Sequence, residues 1–479
     1  MSIEVEPKVN GEASTADAAA SVSVATVVAA RPPLWRRRGI QVAALVAVLI
    51  LIAGAVGTNL LIRQYSPDGV ARDYLSALQS GNADASWGVM QVSSPPSQTI
   101  PSLTDRAALQ AALRTKVDLK RFATTSVVQV DSNRSIVSFA YDTSAGSKQG
   151  QLVVERSGEN RFGLIPDWRV VAVPTILQFD LPTGGVGVSI DGHDVALKEG
   201  TSRMAVLPVA HRIDFKGTAM LAEQTAVVDA FGSAGQTVAY RPQLTSAGTA
   251  AGVAAVKAFF TTCAAKTDLR PDGCPQTYDN AFAGSVQWQL VGDPTQGMSI
   301  SFDDKLQPTA SGRYQMIVSY HEPGMTGTSH DIAAGGYNAI LVLAPTDLAV
   351  ASIAASNGAP AFQRPTSITD QQVKDMVAKA FGACAQARAT AQADCPQQLV
   401  RALADNVRWR LNGDPLGSAT VTFDAQTGVF EVHGDFSMTA SFQINGYPTD
   451  GDSATIAYDA YVLWDGQNLQ LVTMSGAYN

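Results

Sequence analysis

Histidine and cysteine are scarce in this chain of 479 residues, which holds five of the first and four of the second. Charge is thin too, at 16% of residues where globular proteins average about 25%. No G-x-S-x-G elbow, H-E-x-x-H pair, phosphate-binding P-loop or G-x-G-x-x-G fingerprint occurs. Hydrolase, zinc-protease, nucleotide and dinucleotide chemistries therefore have no starting point, and no catalytic, cofactor-binding or metal residue is expected. One grouping, His321-Glu322 with His330 and Asp331, resembles an acid/base or metal site. It lies in HEPGMTGTSHD, whose turn residues predict a solvated hairpin loop instead. Basic residues are also in deficit: 34 Lys and Arg stand against 42 Asp and Glu, a net charge of −8. An acidic chain argues against nucleic acid, whose phosphates demand a basic face.

Long apolar runs are missing with one exception, Ile40 to Ile62, which contains no charged residue. As a helix it would cover ~34 Å, enough for a hydrocarbon core of ~30 Å. Arg36, Arg37 and Arg38 precede it and only Arg63 follows. That asymmetry predicts a cytoplasmic N-terminus and an extracytoplasmic remainder. Trp35 and Tyr65 flank the run, as interfacial aromatics do. A cleaved signal peptide is the rival, with Ala53-Gly54-Ala55 as a cleavage site. The apolar run continues past Ala55, and the preceding polar region is long, so an uncleaved anchor over 39–63 is favoured. Residues 1–38, rich in Ala, Ser, Thr and Val, read as a disordered cytoplasmic tail.

Beyond the anchor the pattern is α+β: tandem helix-plus-antiparallel-sheet modules and one small all-β module. In 66–175, Ser66-Pro67-Asp68 marks a helix start, and Val70, Tyr74, Leu75 and Leu78 fall on one face. A second helix is expected at Asp105–Lys116, then strands at Thr125–Val130, Ser135–Tyr141, Gln151–Arg156 and Trp168–Val173. The opening V-A-x-x-Y-L-x-A-L-x-x-G and the closing Trp168-Arg169-Val170 resemble the nuclear transport factor two-like, or cystatin-like, fold. That fold hosts enzymes, binding modules and scaffolds alike. Residues 176–240 read as the small β module. Their V-x-V-S-I-D-G followed by V-L-P-x-x-H-x-I is similar to PEGA-type surface modules, with Pro208-Val209 where those carry Pro-Gly.

The remaining two modules, 250–355 and 366–479, are copies of each other. Val256, Phe260, Cys263, Cys274, Pro275, Gln276, Val286, Trp288, Leu290, Gly292, Asp293, Pro294 and Phe302 recur in one register. Their counterparts are Val377, Phe381, Cys384, Cys395, Pro396, Gln397, Val407, Trp409, Leu411, Gly413, Asp414, Pro415 and Phe423. One residue of slippage then aligns Gly312, Met316 and Ser319 with Gly434, Met438 and Ser441. Each copy reads as a helix (Val256–Cys263, Val373–Cys384), a loop, a Trp strand, a Gly-Asp-Pro turn and further strands. The first module reads as a diverged third copy. Equal spacing and an oxidising exterior predict the pairs Cys263–Cys274 and Cys384–Cys395. Zinc is disfavoured, since two thiols with no nearby histidine are too few ligands.

Trp288 and Trp409 are expected in the core, with flanking Val and Leu on the same face, ahead of a role in lining a cleft. In overall plan the chain resembles single-pass cell-envelope proteins of actinobacterial type. It is also similar to glycopeptide-resistance-associated membrane proteins, without their zinc ribbon. The resemblance implies a non-enzymatic binding, scaffolding or sensing role at the membrane face, with a cell-wall or envelope-protein partner. The alternatives are an assembly component of a conjugation or secretion apparatus, and an enzyme using a factor-two-like cavity.

Overall fold

The computed structural model describes residues 45–49, 64–94, 100–115, 121–143, 146–161, 165–231, 235–280, 283–344, 346–401, 403–451 and 455–476. The chain divides into residues 1–64 and 65–479. In the first unit Leu45–Leu49 are helical and exposed. The rest of the expected anchor, Ile40 and Ile62 included, lies outside the described residues, as does the tail. Among the described residues one helix, Ser246–Ala264, is long and apolar enough to cross a membrane by length and composition. Its packing is that of a helix lying on a sheet. Gly248, Gly252, Val256, Phe260 and Cys263 form its buried stripe, and Lys257 beside that stripe pairs with Asp293 at 3.0 Å.

The second unit is mixed helix and sheet, with strands dominating. Its first module opens on α1 (Pro67–Gln79), where Ser66 accepts from Gly69 N and Pro67 sits in the first turn. The helices α2 (Ala83–Gly88) and α3 (Arg106–Arg114) follow, the latter capped by Asp105. They cover a sheet ordered β1 (Met90–Val92), β6 (Ile165–Ala172), β5 (Gly146–Arg161), β4 (Arg134–Thr143), β3 (Arg121–Gln129). Only β1 runs parallel to its neighbour. Tyr74, Leu75, Leu109, Phe139, Val154 and Val170 form the core between the layers.

On that sheet Asp167, nearly buried, accepts from Arg161, Arg169 and Ser157 at 2.5, 3.1 and 3.0 Å. Burial pushes its carboxyl up, but the hydrogen bonds from the two arginines and the serine outweigh it and hold it below the ordinary value. The unfolded chain therefore binds the proton more readily. The stabilisation is present above pH ~3.9 and is lost as pH falls through the folded value. Asp167→Asn is expected to cost about 2 kcal/mol at neutral pH and to flatten the acid limb of the stability curve. Urea midpoints measured from pH 7 down to pH 3 check this; parallel curves would refute it.

The β module pairs two sheets. One is β13 (Gly235–Val238), β7 (Thr175–Leu181), β10 (Gly200–Val206), β2 (Ser102–Leu103); the other is β12 (Gln224–Asp229), β11 (Ala210–Phe215), β8 (Val188–Ile190), β9 (His193–Val195). The strand β2 comes from the first module and lies parallel to β10. In return Leu207, Val209 and Phe231 enter the first module's core. Buried His211 ties the seam: Nδ1 meets Asp191 Oδ2 at 2.6 Å and Nε2 meets the Leu207 carbonyl at 2.7 Å. Asp191 also accepts from Thr115 of the first module at 3.3 Å. On the other side the β module shares one continuous core with the first repeat.

In the first repeat α4 (Ser246–Ala264) packs on β14 (Gln287–Val291), β16 (Pro308–Tyr320), β17 (Ser329–Leu343), β18 (Leu348–Ser356), with β15 (Ser299–Phe302) beside β16. In the second, α5 (Asp370–Cys384) packs on β19 (Ala404–Leu411), β21 (Val429–Ile444), β23 (Thr455–Trp464), β24 (Leu469–Gly476). The strands β20 (Thr420–Asp424) and β22 (Tyr447–Asp450) also pair with β21. The helix α4 starts about ten residues before the expected Val256, because Gly248 and Gly252 let it lie close. A Cβ at Gly248 would stand 2.3 Å from the Met220 carbonyl.

Candidate binding cleft of the second repeat

The residues shared by the two copies turn out to be the ones that hold each copy together. Cys263 and Cys274 stand at a sulfur separation of 2.06 Å, Cys384 and Cys395 at 1.98 Å. Gln276 and Gln397 donate from Nε2 to the last-turn carbonyls of Cys263 and Cys384, at 3.0 and 2.9 Å. Helix ends leave such carbonyls without intrahelical partners. Trp288 and Trp409 donate their indole N–H to the carbonyls of Asp268 and Ala389, each at 3.0 Å. Tyr337 and Tyr458 donate to Pro294 and Pro415 of the Gly-Asp-Pro turns. Gly312 and Gly434 lie under those tyrosines, where a Cβ would come within 2.5 and 2.8 Å of the phenol. Asp293 and Asp414 accept from backbone two residues on, as turn residues do. Matching thus follows architecture, and a site particular to either copy must be sought where the copies differ.

They differ beside the Trp strand. In the first repeat Tyr278 packs on Tyr320, with ring centroids 5.2 Å apart, and Tyr314 donates to the Pro275 carbonyl at 3.0 Å. Burial pushes the Tyr314 phenol up to about 12, and those of Tyr278 and Tyr320 upward as well. In the second repeat the counterparts of Tyr278, Tyr314 and Val318 are Leu399, Phe436 and Ala440, each smaller or less polar. A cavity of about 230 Å³ lies there. Buried Phe436, Met438 and Ala440 and half-buried Leu399, Trp409 and Ile456 give it apolar walls. Gln398, Val400 and Arg401 are its exposed rim. Gln397 also lines it; this side chain is 3% exposed and its Oε1 has no hydrogen-bond partner among the described residues. Trp288 is a core residue, while Trp409 both braces its strand and faces a cleft. Sequence reasoning missed Gln397, Leu399 and Ala440 as site residues: Gln397 matches its counterpart, and the signal lies in the smaller residues at 399 and 440.

The histidine grouping of the first repeat spans the mostly exposed loop of the β16–β17 hairpin, as expected, and its far end also forms a joint with the second repeat. His330 Nδ1 meets Asp394 Oδ2 of the second repeat at 2.5 Å, and its backbone N donates to Asp394 Oδ1 at 3.1 Å. Thr326 and the loop 391–393 exchange two backbone bonds. Arg313 donates to the carbonyls of Pro360, Ala359 and Gln426, and Gln315 to those of Thr427 and Gly428. Val291 and Ile317 meet Val429, Leu463 and Val472 across the same seam. His321 is exposed beside the Gly327 carbonyl. His433 lies on the second sheet, 2.5 Å from Asp459 and 3.6 Å from Glu431. Among the described residues no group of three or more His, Cys, Asp or Glu is placed to hold a metal.

No protein-family model matches the chain, and no curated protein matches it in sequence. Among solved structures, an NTF2-like protein involved in plasmid conjugation is similar over 41% of this chain and 79% of its own, at 10% identity and a TM-score of 0.12. The likeness is distant and bears no weight for function.

Proposed function

We propose that the chain is a non-enzymatic, single-pass envelope protein whose residues 65–479 form an extracytoplasmic binding scaffold for cell-wall material or another envelope protein. The carrying observation is the pair of disulfides closing the same loop in both repeats. Such bonds persist in oxidising compartments and are rare in the cytosol. The second of these loops also carries Asp394, which anchors the joint. A rigid scaffold of this kind therefore belongs outside the membrane, on the side to which the arginines before Ile40 point it. Locked modules, and a cleft whose described lining carries no Asp, Glu or His, favour holding over turnover.

The test uses the full-length protein in cells. Protease added to spheroplasts is expected to remove the region beyond Tyr65 and to spare the segment before Arg36. Protein denatured without reductant is expected to take no thiol label. Four labelled cysteines, or a protected C-terminal region, would overturn the reading.

A further inference from the structure

The cavity of the second repeat combines three features. Its volume, about 230 Å³, falls below the ~300 Å³ at which pockets for drug-sized ligands begin. It therefore suits a single ring or substituent rather than an extended cofactor. Its walls are aromatic and aliphatic: Trp409, Phe436, Met438, Ile456. Within this lining sits one buried acceptor without a donor, Gln397 Oε1. Buried polar atoms are almost always paired, so an orphan calls for a donor from elsewhere. The same oxygen is orphaned at Gln276, but there Tyr278 and Tyr314 occupy the neighbourhood. In the second copy the acceptor stands beside a cavity, bordered by the smaller residues at 399 and 440.

We infer that this cavity receives an N-acetylated amino sugar, deepening the binding role proposed above. An acetamido group brings one N–H donor flanked by one methyl. The donor completes Gln397 Oε1, and the methyl packs among Phe436, Met438 and Ile456. The apolar C–H face of the pyranose ring lies against Trp409, and the ring hydroxyls reach Gln398 and Arg401 at the rim. A plain hexose has a hydroxyl at the acetamido position. It supplies a donor but no methyl, and leaves the apolar walls unfilled.

The experiment measures binding of N-acetylglucosamine, its β-1,4-linked trimer and glucose to oxidised full-length protein in detergent, by calorimetry or ligand-observed NMR. N-acetylglucosamine is expected to bind at least tenfold more tightly than glucose, equivalent to about 1.4 kcal/mol. Leu399→Tyr with Ala440→Val installs the residues that the first copy carries, so the fold tolerates them there. This variant is expected to weaken binding at least tenfold with an unchanged melting temperature. Should the pair fail to fold, Ala440→Val alone is measured and the same loss is expected. Equal affinity for glucose, unaltered binding by the refilled variant, or no binding by oxidised protein would each overturn the inference. Topology and thiol state are read separately, so an external, oxidised protein that binds no acetamido sugar removes this inference and leaves the scaffold standing.

Discussion

Replacing Arg313 by alanine is expected to split thermal unfolding into two transitions, with the second repeat melting first. The guanidinium donates to four acceptors, none of them in its own repeat: Pro360 O, Ala359 O at 2.9 Å, Gln426 O at 2.7 Å and Gln426 Oε1 at 3.1 Å. It also lies over the Phe362 ring at 5.3 Å. Charge-assisted bonds contribute about 1.5–3 kcal/mol each when buried and less where water competes. These are partly exposed, so the loss is roughly 3–4 kcal/mol, concentrated at one seam. Lysine cannot restore it, because a single ammonium does not reproduce the planar fork. Calorimetry on Arg313→Ala, Arg313→Lys and the exposed control Lys305→Ala checks this. A single transition at an unchanged midpoint in Arg313→Ala would show that the apolar cluster around Ile317 and Leu463 holds the repeats together alone.

The disulfides are expected to be unequal although their geometry is shared. Each closes a loop of sequence separation 11, worth about 2–3 kcal/mol in the chain-entropy model. Removing Cys263–Cys274 as a double alanine variant should cost that and no more. Removing Cys384–Cys395 frees Asp394 as well, and with it the partner of His330 and the bonds to Thr326. The second variant should therefore lose roughly 1–2 kcal/mol beyond the first. Guanidinium midpoints of both under oxidising conditions decide the matter. Equal shifts would mean that Asp394 keeps its place without the bond.

Much of this was legible in the chain. Ser66 and Asp105 stand at helix starts as their types require, and the register between the copies predicted two equivalent loops before any geometry. Tyr337 over Gly312 and Tyr458 over Gly434 show why those pairs recur: the ring needs a position without a side chain. Other parts were not legible, for physical reasons. The first ten residues of α4 are Ser, Ala, Gly, Thr and Val, too uniform to show a period, and their helix is set by close contact with Met220. Asp394 is an unremarkable loop acid until the fold places His330 beside it, at a sequence separation of 64. Gln397 matches its counterpart in type, so the feature that sets it apart, the space beside it, depends on smaller residues at 399 and 440.

The strand Ser102–Leu103 constrains any attempt to dissect the protein. It belongs to one module by sequence and to the next by pairing, while Leu207, Val209 and Phe231 cross the other way. A truncation that begins at residue 176 leaves β10 with a bare edge, and one that ends at 175 strips Leu207, Val209 and Phe231 from the first module's core, where Phe231 packs on Phe122, Phe139 and Tyr141. No clean cut exists between them. Insertions and deletions near residue 175 are accordingly expected to be tolerated worse than those in the exposed turn 131–133, and a family of such proteins would shuffle these two modules only as a unit.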